Sequence, residues 1–477
     1  MTIFNNFIRR CIEMLKRIIF LCVAFPFILV SVVSFAGEQT SGRDISEKFI
    51  VQVDLSSLIK ESFKTSPDNK HVAYAFKSGN KQFVVIDGKE EKKYDWAGEL
   101  IFSPNSRHLA YMAQSGNKWF VIIDVKKEKQ YDVIGKDSLI FSPDSKHVAY
   151  VAKSGNKCFV VVDGKEEKKY DDIGKDTLIF SLDSRHLAYG AKSGNKCFVV
   201  VDRKEEKQYD SVLESTLIFS PDSKHLAYEA KSGNKCFVVV DGKEERQYDG
   251  IVKGTLIFSP DSKHLAYGAG IGNKQLIVVD EKEEKQYDGI VKGDPIFSPD
   301  SKHVAYRVKS GNKSFVVVDG KEGQQYNGID TIIFSPNSKH MTYRVGIYNK
   351  QLVVVDGKEG NQYDGVYSPI FSSDSRHLAY GAKSGNKQLM VIDGKEEKKF
   401  DGIGKDTLIF SPDSKNIAYR AGIGNKWFVV VDGKEKKQYD GFVTTDSGGK
   451  AVFDTSDSFH YLAIKGSSIY LVEEKIK

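Results

Sequence analysis

From Leu139 the chain reads as short apolar runs separated by polar turns. Leu139–Phe141 is apolar, Ser142–His147 is polar with a Pro-Asp-Ser-Lys turn, and Val148–Ala152 is apolar again. Proline presets φ for such a turn and an aspartate side chain bonds the backbone beyond it, so two strands joined by a tight turn are predicted. Ser154-Gly155-Asn156-Lys157 supplies the next turn. Phe159–Val162 is then an unbroken β-branched run, the pattern of a strand covered on both faces. Asp163-Gly164 opens a hairpin, the charged Lys165–Lys169 passes over solvent, and Tyr170-Asp171 is expected as a short outer strand.

This unit repeats along the chain. The tyrosine closing its second strand recurs at Tyr74, Tyr111, Tyr150, Tyr189, Tyr228, Tyr267, Tyr306, Tyr343, Tyr380, Tyr419 and Tyr461, in steps of 37, 39 or, at the end, 42 residues. A period near 40 with strand content is that of propeller blades rather than helical solenoids. The expected fold is therefore all-β: a propeller of about eleven four-stranded blades, as one large ring or as two tandem propellers. Uniform spacing offers no linker at which to cut, which favours one continuous array. The last repeat has segments for three strands, near Ala451–Phe453, Tyr461–Ile464 and Ile469–Glu473, and leaves an edge open. Phe49–Leu55 alternates, has no blade of its own, and is expected to pair with Ile469–Glu473 and complete the last blade.

Residues 1–36 read as a signal peptide. Arg9, Arg10, Lys16 and Arg17 face a single acid, Glu13, ahead of the apolar Ile18–Val33, and Ser34-Phe35-Ala36 offers small residues for cleavage. The apolar run is also close to the length of an uncleaved anchor. Residues 37–47 are expected to be a flexible linker and 48–477 the repeat array. These features predict export to the periplasm or the exterior, without membrane insertion once the leader is cut.

Composition narrows the function classes. The net charge is +6, half of it from the leader, so no nucleic-acid footprint is present. Cys158, Cys197 and Cys236 occupy one position in three successive repeats, too far apart for a disulfide, and no Cys-x-x-Cys pair suggests a metal. Nine histidines, His71 to His377, lie three residues before an anchor tyrosine. Copies one blade apart cannot converge on a single metal, so they read as half-exposed structural side chains. Gly402–Thr407 lacks the spacing of a phosphate loop.

Phe-Ser-Pro-Asp-Ser-Lys followed by an aliphatic residue, Ala and Tyr resembles the repeat of TolB-like propellers, relatives of WD repeats. The resemblance spans roughly residues 45–477 and implies the fold; such propellers serve as binding modules and as accessory domains of enzymes. This sequence departs from that repeat in placing Ser where Gly usually follows Pro-Asp, in replacing the proline by Leu182 and Ser373, and in replacing the aspartate by Asn105 and Asn337.

Near-identical repeats present one side chain again and again, whereas an active site needs unlike groups at one spot. The expectation is thus a non-catalytic scaffold without cofactor or metal, binding a protein or an anionic polymer of the envelope. A propeller hydrolase or accessory subunit, and a repetitive structural protein, are the rival readings. Off-pattern residues are the candidates for binding: Trp96, Glu214, Tyr348 and Tyr367, with Glu229, Arg307, Arg344 and Arg420 directly after anchor tyrosines. Lys153, Lys192, Lys231 and Lys309 join them, because the linker and second turn of the repeat from Lys136 carry Lys136, Asp137, Lys153 and Lys157, a sum of +2, whereas its first and third turns cancel.

Overall fold

The computed structural model describes residues 45–213, 216–444 and 450–476; the predicted leader and Glu214 lie outside them. Among the described residues, eleven antiparallel sheets follow one another along the chain. Blade 3 shows the plan. Its first strand is split into Val133–Ile134 and Ile140–Phe141, and both pieces pair with the second strand, Val148–Ser154. The third strand, Lys157–Val162, pairs with a fourth at Lys165–Glu166, and Tyr170 bridges to Cys158. The outer strand therefore begins within the charged segment expected to pass over solvent. A strand at the rim needs only its backbone paired, so charged side chains suit it.

Both faces of each blade are buried, which explains the unbroken apolar runs. One face of blade 3 packs Val148, Tyr150, Ala152, Phe159 and Val161 on Ala110, Met112 and Val121 of blade 2. The other packs Ala149 and Val160 on Tyr170, Tyr189 and Phe198, at the blade 4 interface. Each Ala before an anchor tyrosine is thus the small residue that receives the next blade's large one. All eleven anchor tyrosines are buried.

The blades splay outward. Next to the first strands, Asp144 N donates directly to Ser184 Oγ of the next blade at 2.9 Å, whereas at the outer strands the gap is spanned by long side chains, Lys168 Nζ to Glu205 Oε1 at 2.6 Å. The first strands accordingly face the axis. Ser145 has φ 65°, a left-handed conformation in which Gly costs less. Its hydroxyl accepts from Asn105 N of the preceding blade at 3.0 Å, an interblade bond glycine cannot make.

Spacing controls the first strand. The 37-residue blades 2, 8 and 9 have continuous first strands, Trp96–Phe102, Gly328–Phe334 and Gly365–Phe371, each with one left-handed residue, Glu99, Thr331 or Ser368. In the 39-residue blades the two extra residues open this strand into a loop, Gly135–Leu139 in blade 3.

The ring closes on itself. Ile45–Gln52 pairs with Ser468–Lys475 and supplies the outer strand of blade 11. The strand begins at Ile45, inside the segment expected as a linker. Val72, Tyr74, Phe83 and Val85 of blade 1 pack on Val443, Leu462, Ile469 and Leu471 of blade 11. Asn69 Nδ2 donates to Lys450 O at 2.8 Å across the same joint. Consecutive interblade cores run from blade 1 to blade 11 and back to blade 1, so the chain forms one eleven-bladed ring, and two tandem propellers are ruled out.

Candidate binding site

Antiparallel pairing puts the second turn and the interblade linker on one rim, and the first and third turns on the other. On the second-turn rim a clamp joins neighbouring blades. Lys157 Nζ donates to Asp171 Oδ1 at 2.6 Å, and Asp171 Oδ2 accepts from Gly194 N of the next blade at 2.7 Å. The paired ammonium and amide hold this carboxyl below its ordinary pKa. Asp132 does the same for Lys118 and Gly155. Counting that aspartate lowers the rim's expected surplus from +2 to +1 for each such blade, because the charge sum from sequence placed Tyr-Asp on the outer strand and left it out.

The opposite rim holds the histidines. His147 Nδ1 and Asp163 Oδ2 lie 2.7 Å apart while Asp163 Oδ1 accepts from Val148 N at 3.0 Å. Asp163 (φ 48°) and Gly164 (φ 73°) form the predicted hairpin. Nine such His–Asp pairs occur, and their role is to fasten the third turn to the second strand. At His71 the bond to Asp87 raises the imidazole pKa. A cavity of about 590 Å³ opens on this rim between blades 1 and 2, beside His71, Arg107, His108 and Val125. Among the described residues no group of three or more His, Cys, Asp or Glu is arranged to hold a metal, and no helix is long and apolar enough to cross a membrane. Cys158, Cys197 and Cys236 are free thiols.

The off-pattern candidates separate. Trp96 packs at a tilt against Trp119 within blade 2, ring centroids 5.1 Å apart. Arg420 is buried between blades 10 and 11, over the Phe442 ring at 5.0 Å; desolvation lowers its pKa to about 10. Glu229 is 1% exposed, and burial raises its pKa to about 7, offset in part by Lys253. Neither of these two faces solvent, so both leave the set of direct binding candidates. Lys153, Lys192 and Lys231 stand on blades 3, 4 and 5, and Lys309 on blade 7; none forms an ion pair.

Three candidates do converge, on blades 7 to 9. Arg307 Nε donates to Asp294 Oδ2 at 2.8 Å, and its Nη1 lies 3.6 Å from Asp330 Oδ1 of blade 8. Asp330 also pairs with Arg344, whose Nη1 donates to Val366 O of blade 9 at 2.5 Å. The Tyr367 ring covers Gly381, filling the space of an absent side chain. Asp294 and Asp330, which neutralise the two arginines, were not singled out in the sequence, since each lies on a first strand or its loop and meets its arginine only when that strand pairs with the second.

The same sector breaks the rim clamp. Tyr326 is followed by Asn327 where the repeat has aspartate, and Tyr348 stands where the repeat has glycine. Lys313, the second-turn lysine of blade 7, has no ion pair; the other nine, from Lys81 to Lys426, are all clamped. Asn327 was legible as a Tyr-Asn among Tyr-Asp pairs, but its meaning required the clamp to be seen.

No protein-family model and no curated protein matches the chain. Among solved structures it is similar to a eukaryotic initiation factor, at 12% identity and a TM-score of 0.38 over 77% of this chain and 97% of that one. TolB from Acinetobacter baumannii aligns at 14% identity and a TM-score of 0.25, over 52% and 77% of the two chains. Hydrazine synthase from Kuenenia stuttgartiensis aligns at 15% identity and a TM-score of 0.25, over 61% and 94%. The chain is an eleven-bladed β-propeller. That statement rests on its own strand pairing and ring closure, and these distant likenesses carry no part of it.

Proposed function

We propose that this propeller is a non-catalytic binding scaffold, exported to the periplasm or the exterior, that takes an anionic partner on its second-turn rim: an acidic protein or an anionic polymer of the envelope. The observation that carries the reading is a difference between lysines. Lys153, Lys192, Lys231 and Lys309 make no ion pair, whereas Lys146, Lys224, Lys263 and Lys302 on the opposite rim lie 3.3–3.7 Å from the aspartate of their own turn. Unpaired cations repeated around a ring sum into a field that attracts anions. Export rests on the leader sequence alone. A scaffold role is favoured over a hydrolase because the arginines of blades 7 and 8 are already neutralised by Asp294 and Asp330, leaving no group there poised to react.

The test is a pair of quadruple reversals. Changing Lys153, Lys192, Lys231 and Lys309 to Glu weakens retention on an anionic column and flattens its salt dependence; changing Lys146, Lys224, Lys263 and Lys302 leaves both nearly as they were. Equal effects from the two sets would remove the rim assignment.

A further inference from the structure

We infer that the joint between blades 7 and 8 is a docking site for an acidic peptide segment of a protein partner, whose carboxylate supplies Lys313 with the counter-charge that Asn327 does not. The inference rests on the anionic-partner reading above and gives it a location and a chemistry.

At the other joints a carboxylate sits between an ammonium and a backbone N–H. At this one the ammonium, Lys313, remains, and the receiving turn remains, but the anion is gone. Asn327 Oδ1 reaches Tyr348 N only at 3.5 Å, against 2.7 Å from Asp171 to Gly194, and a neutral amide gives Lys313 no counter-charge. The Asn327 amide keeps the place of the aspartate but not its charge, so one ammonium is left without a counter-ion. Clamps on either side are complete, with Asp288 held by Lys274 and Gly311 N, and Asp364 held by Lys350 and Gly385 N.

Tyr348 adds an independent observation. It has φ 53°, in the left-handed region that a bulky residue occupies at a cost, and at 90% exposure it recovers nothing by packing. Glycine at this position in other blades avoids the strain. An exposed aromatic beside an uncompensated cation is the pairing that anchors interfaces: the ring supplies contact area at low entropic cost and the ammonium supplies register. Lys309, four residues before Lys313 on the strand that leads into the same turn and likewise without an ion pair, extends the cationic surface.

A peptide suits this geometry better than a lipid surface. An extended chain can bring a single carboxylate to one exposed ammonium, whereas a sheet of headgroups would lie mostly against clamps already neutralised.

The test uses substitutions that restore the repeat, so loss of folding cannot mimic loss of binding. Labelled poly-L-glutamate is titrated at low ionic strength into the full propeller, into Asn327→Asp and into Tyr348→Gly, with phosphatidylglycerol vesicles as a second probe and the melting temperature as a folding control. The expected result is that Asn327→Asp weakens poly-L-glutamate binding by about tenfold, the worth of one charge-assisted bond, and that Tyr348→Gly weakens it through the lost ring contact, neither lowering the melting temperature. Binding of poly-L-glutamate that neither substitution weakens, but that the Lys153, Lys192, Lys231 and Lys309 reversal abolishes, would overturn this site and leave the basic rim standing. Binding of vesicles and not of poly-L-glutamate would overturn the acidic peptide as occupant. Binding of neither would overturn both readings.

Discussion

Glu47 ties the ring shut, and its removal tests the closure directly. It lies on the N-terminal strand, 7% exposed, and accepts from Tyr439 Oη at 2.6 Å and Lys465 Nζ at 2.6 Å, with Lys437 Nζ at 3.0 Å. Burial by itself raises the carboxyl pKa, but the bonds from Lys465, Tyr439 and Lys437 outweigh it and bring it from 4.5 down to about 2. A depressed pKa stabilises the fold above the unfolded value and loses that contribution as pH falls through the folded one. At ~1.4 kcal/mol per pKa unit the ionised group contributes about 3 kcal/mol at pH 7 and roughly half of that at pH 3. Glu47→Gln should therefore lose about 2–3 kcal/mol at neutral pH. The loss should be concentrated in blade 11, because repeat arrays are held chiefly by neighbours. Urea unfolding at pH 7 and pH 3 measures the difference, and hydrogen exchange of the Ser468–Lys475 amides locates it. A variant as stable as the parent at pH 7, or a loss of the same size at both pH values, would refute the reasoning.

Glu229 predicts the opposite sign. Its pKa is raised to about 7, so stability present below pH 4.5 is lost as pH rises through 7, and Glu229→Gln should be the more stable protein by about 3 kcal/mol at pH 8 and by less than about 1 kcal/mol at pH 5 in paired urea titrations. Tyr228→Ala removes a fully buried ring that meets Tyr209 edge-on, and should cost about 3–5 kcal/mol with a broadened melt by calorimetry; an unchanged melt would contradict the interblade packing.

The unit and its count were legible along the chain. The spacing of apolar runs fixed four strands per repeat, the Asp-Gly and Pro-Asp-Ser turns fixed how they reverse, and the spare strand at the N-terminus announced how the last blade is completed. These are local properties, written in residues a few positions apart. Closure into one ring was decided in three dimensions, because the rotation between blades is set by how Tyr189 seats against Ala149, and a small difference per joint separates a ring from two shorter ones. The charged partners were likewise hidden. Lys157 finds Asp171 along the chain, but the carboxylate then reaches Gly194 in the next blade, and Arg307 meets Asp330 across a blade interface. The sequence displayed Asn327 and Tyr348 as exceptions to a pattern. Only the packed ring shows that they stand together beside Lys313, since residues from two blades become neighbours when the sheets stack and not before.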